Sequence, residues 1–482
     1  MTNHFDLIVI GAGPGGYVAA IRAAQLGKKV LCIEKRASLG GTCLNVGCIP
    51  SKALLDSSEL YHDVKTKSSR HGILVGDVQL DLTALMKRKT QVVKGLTDGI
   101  SYLFKKNGVS SVFGSAMITA PGKVTVTANK GANEGAAGEK SVNEYQAPAI
   151  LLATGSEVAT LPTLPLDHQF IVSSNEAISF PEVPKKLIVI GAGYIGLELG
   201  SVWNRLGSQV QVIEFLPRIL PLTDLEIAGM VQKSLTKQGF EFHLGTKVVS
   251  AKVIGNQVEV KAESAEQGSG KAALTFWGDR VLVAVGRRPN SANLGLETIG
   301  VTIDAKSGKI PVNSKFETNV PGIYALGDLI AGPMLAHKAS EEGIAFAEML
   351  CGHAGHVSYD TIPSVIYLWP EVASVGLNEE EVKKSGVSYK IGKVPFSASG
   401  RARCMDESEG VVKIITNSAT DRILGVHIFG PRASDMIAEA VTIMEYHGCA
   451  EDLARLTHAH PSLSESVGDA AWMAYTGKAI HF

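Results

Sequence analysis

One stretch of this sequence returns 180 residues later. Phe5-Asp6-Leu7-Ile8-Val9-Ile10 is a short apolar run that leads into Gly11-Ala12-Gly13-Pro14-Gly15-Gly16 and an alanine-rich helical pattern. Leu187-Ile188-Val189-Ile190 leads in the same way into Gly191-Ala192-Gly193-Tyr194-Ile195-Gly196. Leu26-Gly27 recurs as Leu206-Gly207, and Glu34 recurs as Glu214, each acid 23 residues after the first glycine of its copy. A glycine-rich turn alone is common. Strand, G-x-G-x-x-G, helix and acid in that order are what a dinucleotide-binding βαβ unit demands. The first glycine (Gly11, Gly191) makes the tight turn, and the second (Gly13, Gly193) lets the backbone approach a pyrophosphate. The third (Gly16, Gly196) lets the helix pack on its strand, and the acid accepts from a ribose hydroxyl. Two copies predict two dinucleotides on one chain.

Glu214 is followed by Phe215-Leu216-Pro217, with Arg218 the one basic residue nearby. A 2′-phosphate would be repelled by a carboxylate and would call for a basic cluster, so the second site reads as one for NAD rather than NADP. The rest of the composition narrows the class. Lys and Arg together number 46 against 47 Asp and Glu, which leaves no bulk charge to recruit nucleic acid or an anionic membrane. No apolar run approaches the roughly 20 residues that span a bilayer. Met1 to Asp6 shows no basic, cleavable leader pattern, and the expectation is a cytoplasmic protein.

Cys43 and Cys48 lie in Gly40-Gly41-Thr42-Cys43-Leu44-Asn45-Val46-Gly47-Cys48-Ile49-Pro50-Ser51-Lys52, directly after the first repeat. Six cysteines in 482 residues make no disulfide framework, so the pair reads as redox-active or metal-binding. A metal site needs about four ligands, and no second cysteine pair exists; no metal is expected. In an ideal helix, residues five apart lie roughly 8–9 Å apart at Cα, beyond disulfide reach. Bridging therefore needs a bend, which Gly47 and Pro50 could permit. Cys32, on an apolar strand pattern, reads as a core residue.

These motifs resemble the flavin-dependent pyridine nucleotide–disulfide oxidoreductases along nearly the whole chain, and most of all the branch that oxidises dihydrolipoamide. The Gly40–Lys52 segment is specific to members with a redox disulfide, and His458-Ala459-His460-Pro461-Ser462-Leu463-Ser464-Glu465 is similar to their catalytic segment. The resemblance implies FAD at the first fingerprint with Glu34, and NAD at the second with Glu214. It adds Thr154 and Gly155 of Ala153-Thr154-Gly155-Ser156, Asp328 of the Pro321–Asp328 segment on the ribityl chain, and Gly286 to the cofactor-binding set. Lys52 and Glu198 match positions that pair beside the flavin.

The implied chemistry is oxidation of dihydrolipoamide, with Cys43 attacked by substrate thiolate, Cys48 facing the flavin and His460 as base. Glu465 would orient the imidazole, although Ser462-x-x-Glu465 also spells a helix-capping box. His458, two residues from His460, raises an H-x-H metal idea with only two ligands. The implied partners are a second copy of the chain, forming a homodimer, and a lipoyl-bearing protein of a 2-oxo acid dehydrogenase or glycine cleavage complex. A glutathione-reductase-like enzyme and an FAD/NAD scaffold without catalysis are the competing readings.

The expected fold class is α/β: two Rossmann-like dinucleotide-binding domains and a C-terminal α+β dimerisation domain. Its expected parts are an FAD-binding domain over 1–155, an NAD-binding domain over 156–285, a central domain completing the FAD site over 286–355, and an interface domain over 356–482. A long helix is expected over Leu82–Lys106. The Ala128–Lys140 and Glu263–Lys271 stretches read as mobile hairpin tips.

Overall fold

The run Leu7–Ile10 is buried at every position and forms the centre of a sheet (strand β1). Complete burial on both faces is the signature of a parallel strand covered by helices, and it explains why the run shows no polar alternation. The computed structural model describes residues 3–128, 142–266 and 272–481. The expected hairpin tips lie outside them, apart from Ala128 and residues 263–266.

The chain divides into two units. The first comprises Met1–Ala53, Thr83–Ala159 and Gly286–Val357. In it, β1 runs parallel to strand β2 (Val30–Glu34) on one side and to Ala149–Leu152 on the other. Ile323–Ala325 extends the sheet beyond Ala149–Leu152. Ser110–Ala120 pairs in parallel with β2 and then turns back through the antiparallel strands Lys123–Ala128 and Val142–Gln146. Helix α1 (Pro14–Gln25) begins with proline in its first turn, a position where the missing N–H leaves no bond unmade. Helix α2 (Gly41–Val46) and helix α3 (Cys48–Thr66) follow β2, and the expected long helix spans Leu82–Asn107. Ile8, Ile33, Ile100, Phe104, Leu151 and Leu326 lie in the core.

The second unit comprises Leu54–Leu82, Thr160–Val285 and Ser358–Phe482. A parallel sheet has the order Glu241–His243, Gln209–Ile213, Lys186–Ile190, Arg280–Val283 and Ile171–Val172. Its register repeats that of the first unit: Leu7 faces Val30, and Leu187 faces Val210, each 180 residues later. The antiparallel strands Thr246–Ile254, Gln257–Ser264 and Leu274–Gly278 share a core with the parallel sheet through Ile188, Val260 and Phe276. The C-terminal part of the unit is a five-stranded antiparallel sheet with Glu371–Gly376, Ile423–Gly430 and Val411–Asn417 at its centre. Helices Ala433–Glu445 and Glu465–Thr476 pack on it through Ile437, Ala440, Val467 and Ala471.

Candidate active site

The two fingerprint turns have the same local geometry. Gly11 adopts φ +101° and Gly191 φ +102°, and a Cβ at either would meet a backbone oxygen, at 2.4 Å from Ala153 or 2.5 Å from Ala284. A Cβ at Gly16 would lie 1.9 Å from the Gly11 oxygen, and one at Gly196 2.4 Å from that of Gly191. The middle glycines behave differently. A Cβ at Gly13 meets nothing nearer than 4.0 Å, and one at Gly193 meets nothing within 4 Å. Packing inside the protein therefore requires the first and third glycines and leaves room at the second. Such room beside a helix N-terminus suits a phosphate drawn close to the backbone. Neither following helix has a side-chain cap or an acid in its first turn, so the helix starts themselves bring no negative charge against an anion.

Both acids brace these turns. Glu34 accepts from the Ala12 N–H at 2.9 Å and the Arg36 N–H at 2.8 Å. Glu214 accepts from the Ala192 N–H at 2.6 Å and the Leu216 N–H at 2.8 Å. The sequence reading assigned these carboxylates only to ribose. Each oxygen retains a second lone pair to accept from a hydroxyl, so the two carboxylates fit the adenosine ends of FAD and NAD. Arg218 donates to Glu380 at 2.7 Å and to the backbone oxygens of Pro221 and Thr223, so its guanidinium is committed within the protein.

At the other edge of the first unit, the Thr154 hydroxyl donates to the Asn290 oxygen at 2.7 Å, and the Asn290 N–H donates to Gly155 at 2.9 Å. Gly286, at φ +118°, accepts from the Ala159 N–H at 3.0 Å. Asp328 lies in a short 3-10 turn, Gly327–Leu329, where it accepts from the Ser156 hydroxyl. The Arg287 Nε donates in turn to that hydroxyl at 2.7 Å. Ser156, Arg287, Lys338 and Glu342 around this turn were not singled out from sequence.

The cysteine pair sits at a broken helix. α2 stops at Gly47, whose φ −126° and ψ −117° are not helical, and α3 starts at Cys48. A Cβ at Gly47 would lie 2.9 Å from the Thr42 oxygen and 3.2 Å from the Cys43 Cα, so glycine alone fits the bend. Pro50, expected to share in that bend, instead stands in the first turn of α3, where proline is compatible with a helix. The break brings the two thiols into hydrogen-bond contact. That contact, followed by burial, raises Cys43 well above the ordinary thiol range, while the charge of Lys52 acts in the opposite direction. Tyr17 on α1 is raised by burial and then by Cys43. Cys32 is buried in the core, as expected. Among the described residues no three metal-ligating side chains form a group.

In the second unit, His460 Nδ1 lies 2.8 Å from Glu465 Oε1, and the imidazole is 81% exposed. The Ser462 N–H donates to Glu465 Oε2 at 2.7 Å. The carboxylate thus bonds the Ser462 N–H of the preceding turn and holds the histidine too. The helix itself begins after Ser464, and the Ser462 hydroxyl caps nothing. Burial opposes ionisation of Glu465, but the Ser462 N–H and the His460 ring outweigh it and place its carboxyl below the usual range. His458 pairs with Glu439 at 2.6 Å, which removes it from the H-x-H idea. Glu198 is buried and accepts from the Tyr367 N–H at 2.9 Å. Tyr194 opens its helix and is 40% exposed.

Residues 5–343 match the pyridine nucleotide-disulphide oxidoreductase family, and residues 362–471 match its dimerisation domain. The chain is 52% identical to dihydrolipoyl dehydrogenase 2, mitochondrial, of Arabidopsis thaliana over 99% of this chain and 91% of that protein. It is 52% identical to the mitochondrial dihydrolipoyl dehydrogenase of Dictyostelium discoideum, over 100% and 96%. A leghemoglobin reductase of Vigna unguiculata is 51% identical, over 98% and 88%. Among solved structures, LpdA of Mycobacterium tuberculosis is similar at TM-score 0.87 and 25% identity, over 97% of this chain and 99% of that one. FAD and NAD are the cofactors of this family and of these dihydrolipoyl dehydrogenases. The expectation of a cytoplasmic protein is corrected here, because relatives from plants, Dictyostelium and fission yeast are named mitochondrial. That expectation rested on no leader pattern being seen over Met1 to Asp6, and such an absence does not report a compartment. With both halves matched and the α/β fold shared, the chain belongs to the pyridine nucleotide-disulphide oxidoreductases.

Proposed function

We propose that the protein oxidises a dihydrolipoyl group carried by another protein and delivers the electron pair to NAD⁺ through a Cys43–Cys48 disulfide and FAD. The break at Gly47, which brings the two sulfurs together in a chain half-identical to dihydrolipoyl dehydrogenases, carries this reading. The carrier belongs to a 2-oxo acid dehydrogenase or glycine cleavage complex.

The thiolate is the attacking species, so a base must take the substrate proton. Glu465 holds His460 by Nδ1, which leaves Nε2 for that proton. The substrate thiolate attacks Cys43 Sγ, a mixed disulfide forms, and Cys48 leaves as thiolate. The second substrate sulfur then attacks the first and closes the oxidised lipoyl ring, releasing Cys43. One substrate proton ends on Cys43 and the other passes to solvent. FAD, held by the first fingerprint and Asp328, would supply the two-electron chemistry that links the dithiol to hydride delivery at NAD⁺. Bracing the two fingerprint turns by Glu34 and Glu214, and holding the ribityl chain by Asp328, is the protein's share.

The active form is a homodimer, in which the imidazole of one copy serves the dithiol of the other. Residues 362–471, the match to a dimerisation domain, support this. The commitment of Arg218 to Glu380 supports NAD and speaks against the glutathione-reducing alternative, which draws on NADP. Purified holoprotein mixed with dihydrolipoamide and NAD⁺ is expected to form NADH. Bound FAD without NADH formation would favour the scaffold, and glutathione reduction with NADPH would favour the other enzyme.

A further inference from the structure

Lys338 and Glu342 stand one turn apart on the helix Ala336–Leu350, joined at 2.9 Å with both side chains at 0% exposure. An ion pair this deep is a poor stabiliser, because well-packed apolar residues of similar volume serve equally well or better. Its hydrogen bonds indicate another task. The Gly327 N–H donates to Glu342 Oε2 at 2.7 Å, and Lys338 Nζ donates to the Gly327 oxygen at 3.0 Å. The two ends of the pair therefore grip both polar atoms of one glycine, which sits at φ +70° immediately before Asp328.

The same helix is seated tightly on α1. A Cβ at Gly343 would lie 2.6 Å from the Gly15 oxygen, and one at Gly15 would lie 3.0 Å from the Ala339 oxygen. The backbones approach closely through these two glycines, so a side chain at either would push the helix off α1. We propose that Lys338 and Glu342 are positioning residues of the flavin site, tying the Asp328 turn to the helix whose N-terminus receives the pyrophosphate. This rests on the reading that α1 and Asp328 hold FAD. Ser156 and Arg287 aim the carboxylate, and the ion pair fixes the turn that carries it. The site is then formed before the flavin arrives.

The test is FAD affinity, read by flavin fluorescence on reconstituted protein, for wild type, K338M/E342L, D328N and the three changes together. K338M/E342L is expected to fold and to bind FAD about tenfold more weakly, the scale of losing hydrogen bonds to charged groups. D328N is expected to weaken binding too, and the combined variant by less than the product of the two losses. The charge-exchanged K338E/E342K restores an ion pair but turns a cation toward the Gly327 N–H, so FAD affinity is expected to stay low. Wild-type affinity in K338M/E342L beside a weak D328N overturns the proposal. Wild-type affinity in D328N removes the reading beneath it. Should K338M/E342L fail to fold, hydrogen exchange of residues 326–330 in unmutated apoprotein decides: slow exchange supports the clamp, and rapid exchange overturns it.

Discussion

Glu465 holds His460 Nδ1 at 2.8 Å with one carboxylate oxygen and the Ser462 N–H at 2.7 Å with the other. One acid therefore ties the turn before the helix Glu465–Thr476 to the ring orientation of the proposed base. Changing His460→Gln is expected to lower kcat/KM for dihydrolipoamide by roughly 100- to 10,000-fold, the usual share of a general base. Glu465→Gln is expected to lower it less while leaving FAD bound. Steady-state kinetics check both, and wild-type turnover in the His460 variant would end the assignment.

The contact between Cys43 and Cys48 predicts where the thiolate of the reduced pair resides. Cys43 retains its proton because the neighbouring thiol and then burial raise it. Anaerobic reduction should give a long-wavelength thiolate–flavin absorption band in wild type and in Cys43→Ser. The band should be missing in Cys48→Ser. Its persistence there would place the thiolate on the other sulfur.

Gly193 and Gly196 offer a contrast within one turn. Gly193→Ala meets no neighbour, so stability should change by no more than about 0.5 kcal/mol. Its methyl group nevertheless occupies the approach to the pyrophosphate, and NAD⁺ affinity should fall about tenfold or more. Gly196→Ala pushes a Cβ to 2.4 Å from the Gly191 oxygen and should destabilise the fold by about 1–3 kcal/mol. Calorimetric titration and thermal unfolding separate the two effects. Undiminished NAD⁺ binding in Gly193→Ala would contradict this view of the second glycine.

Lys413 joins Asp224 at 3.0 Å and Glu379 at 2.7 Å, with Lys413 and Asp224 both 1% exposed. Hydrogen bonds from Lys383 and then Lys413 hold Glu379 down at about 2. For Asp224 burial acts against ionisation, and the hydrogen bond from Lys413, with His427 and the Glu379 N–H, more than offsets it. Carboxylates lowered in the folded state contribute stability above their ordinary pKa of about 4, and that contribution is lost as pH falls toward about 2. Lys413→Met leaves Asp224 buried beside no cation, which should destabilise the protein by about 3–5 kcal/mol near neutral pH. The deficit should shrink on acidification. Thermal unfolding midpoints of both proteins between pH 7 and pH 3 test this, and a deficit independent of pH would contradict it.

Much of this was legible in the residues because it is local. The glycine turns, the Cys43–Cys48 spacing and the His460–Glu465 interval each lie within a few residues, where backbone geometry dictates what can meet. Lys338 and Glu342 were not legible, since a Lys and a Glu four apart read as an ordinary exposed helix pair. Burial decided their role, and burial depends on Gly15 and Gly343, more than 300 residues apart in sequence. Lys413 meets Asp224 across 189 residues and was invisible for the same reason. Pro50 was misread because a proline can open a helix as readily as bend one.

The shared strand register has a last consequence. Gly40 donates to the Ala12 oxygen, and Leu220, 180 positions on, donates to that of Ala192, so the duplicated corners coincide even outside their glycines. The amides at the two corners nevertheless differ, because Pro14 and Pro221 carry no N–H where Tyr194 and Gly41 do. The G-x-G-x-x-G motif is thus shared, while the residues beside it differ, Pro14-Gly15 against Tyr194-Ile195, Lys35-Arg36 against Phe215-Leu216 and Gly40-Gly41 against Leu220-Pro221. Transplanting the G-x-G-x-x-G motif alone should therefore leave unchanged which dinucleotide each half accepts.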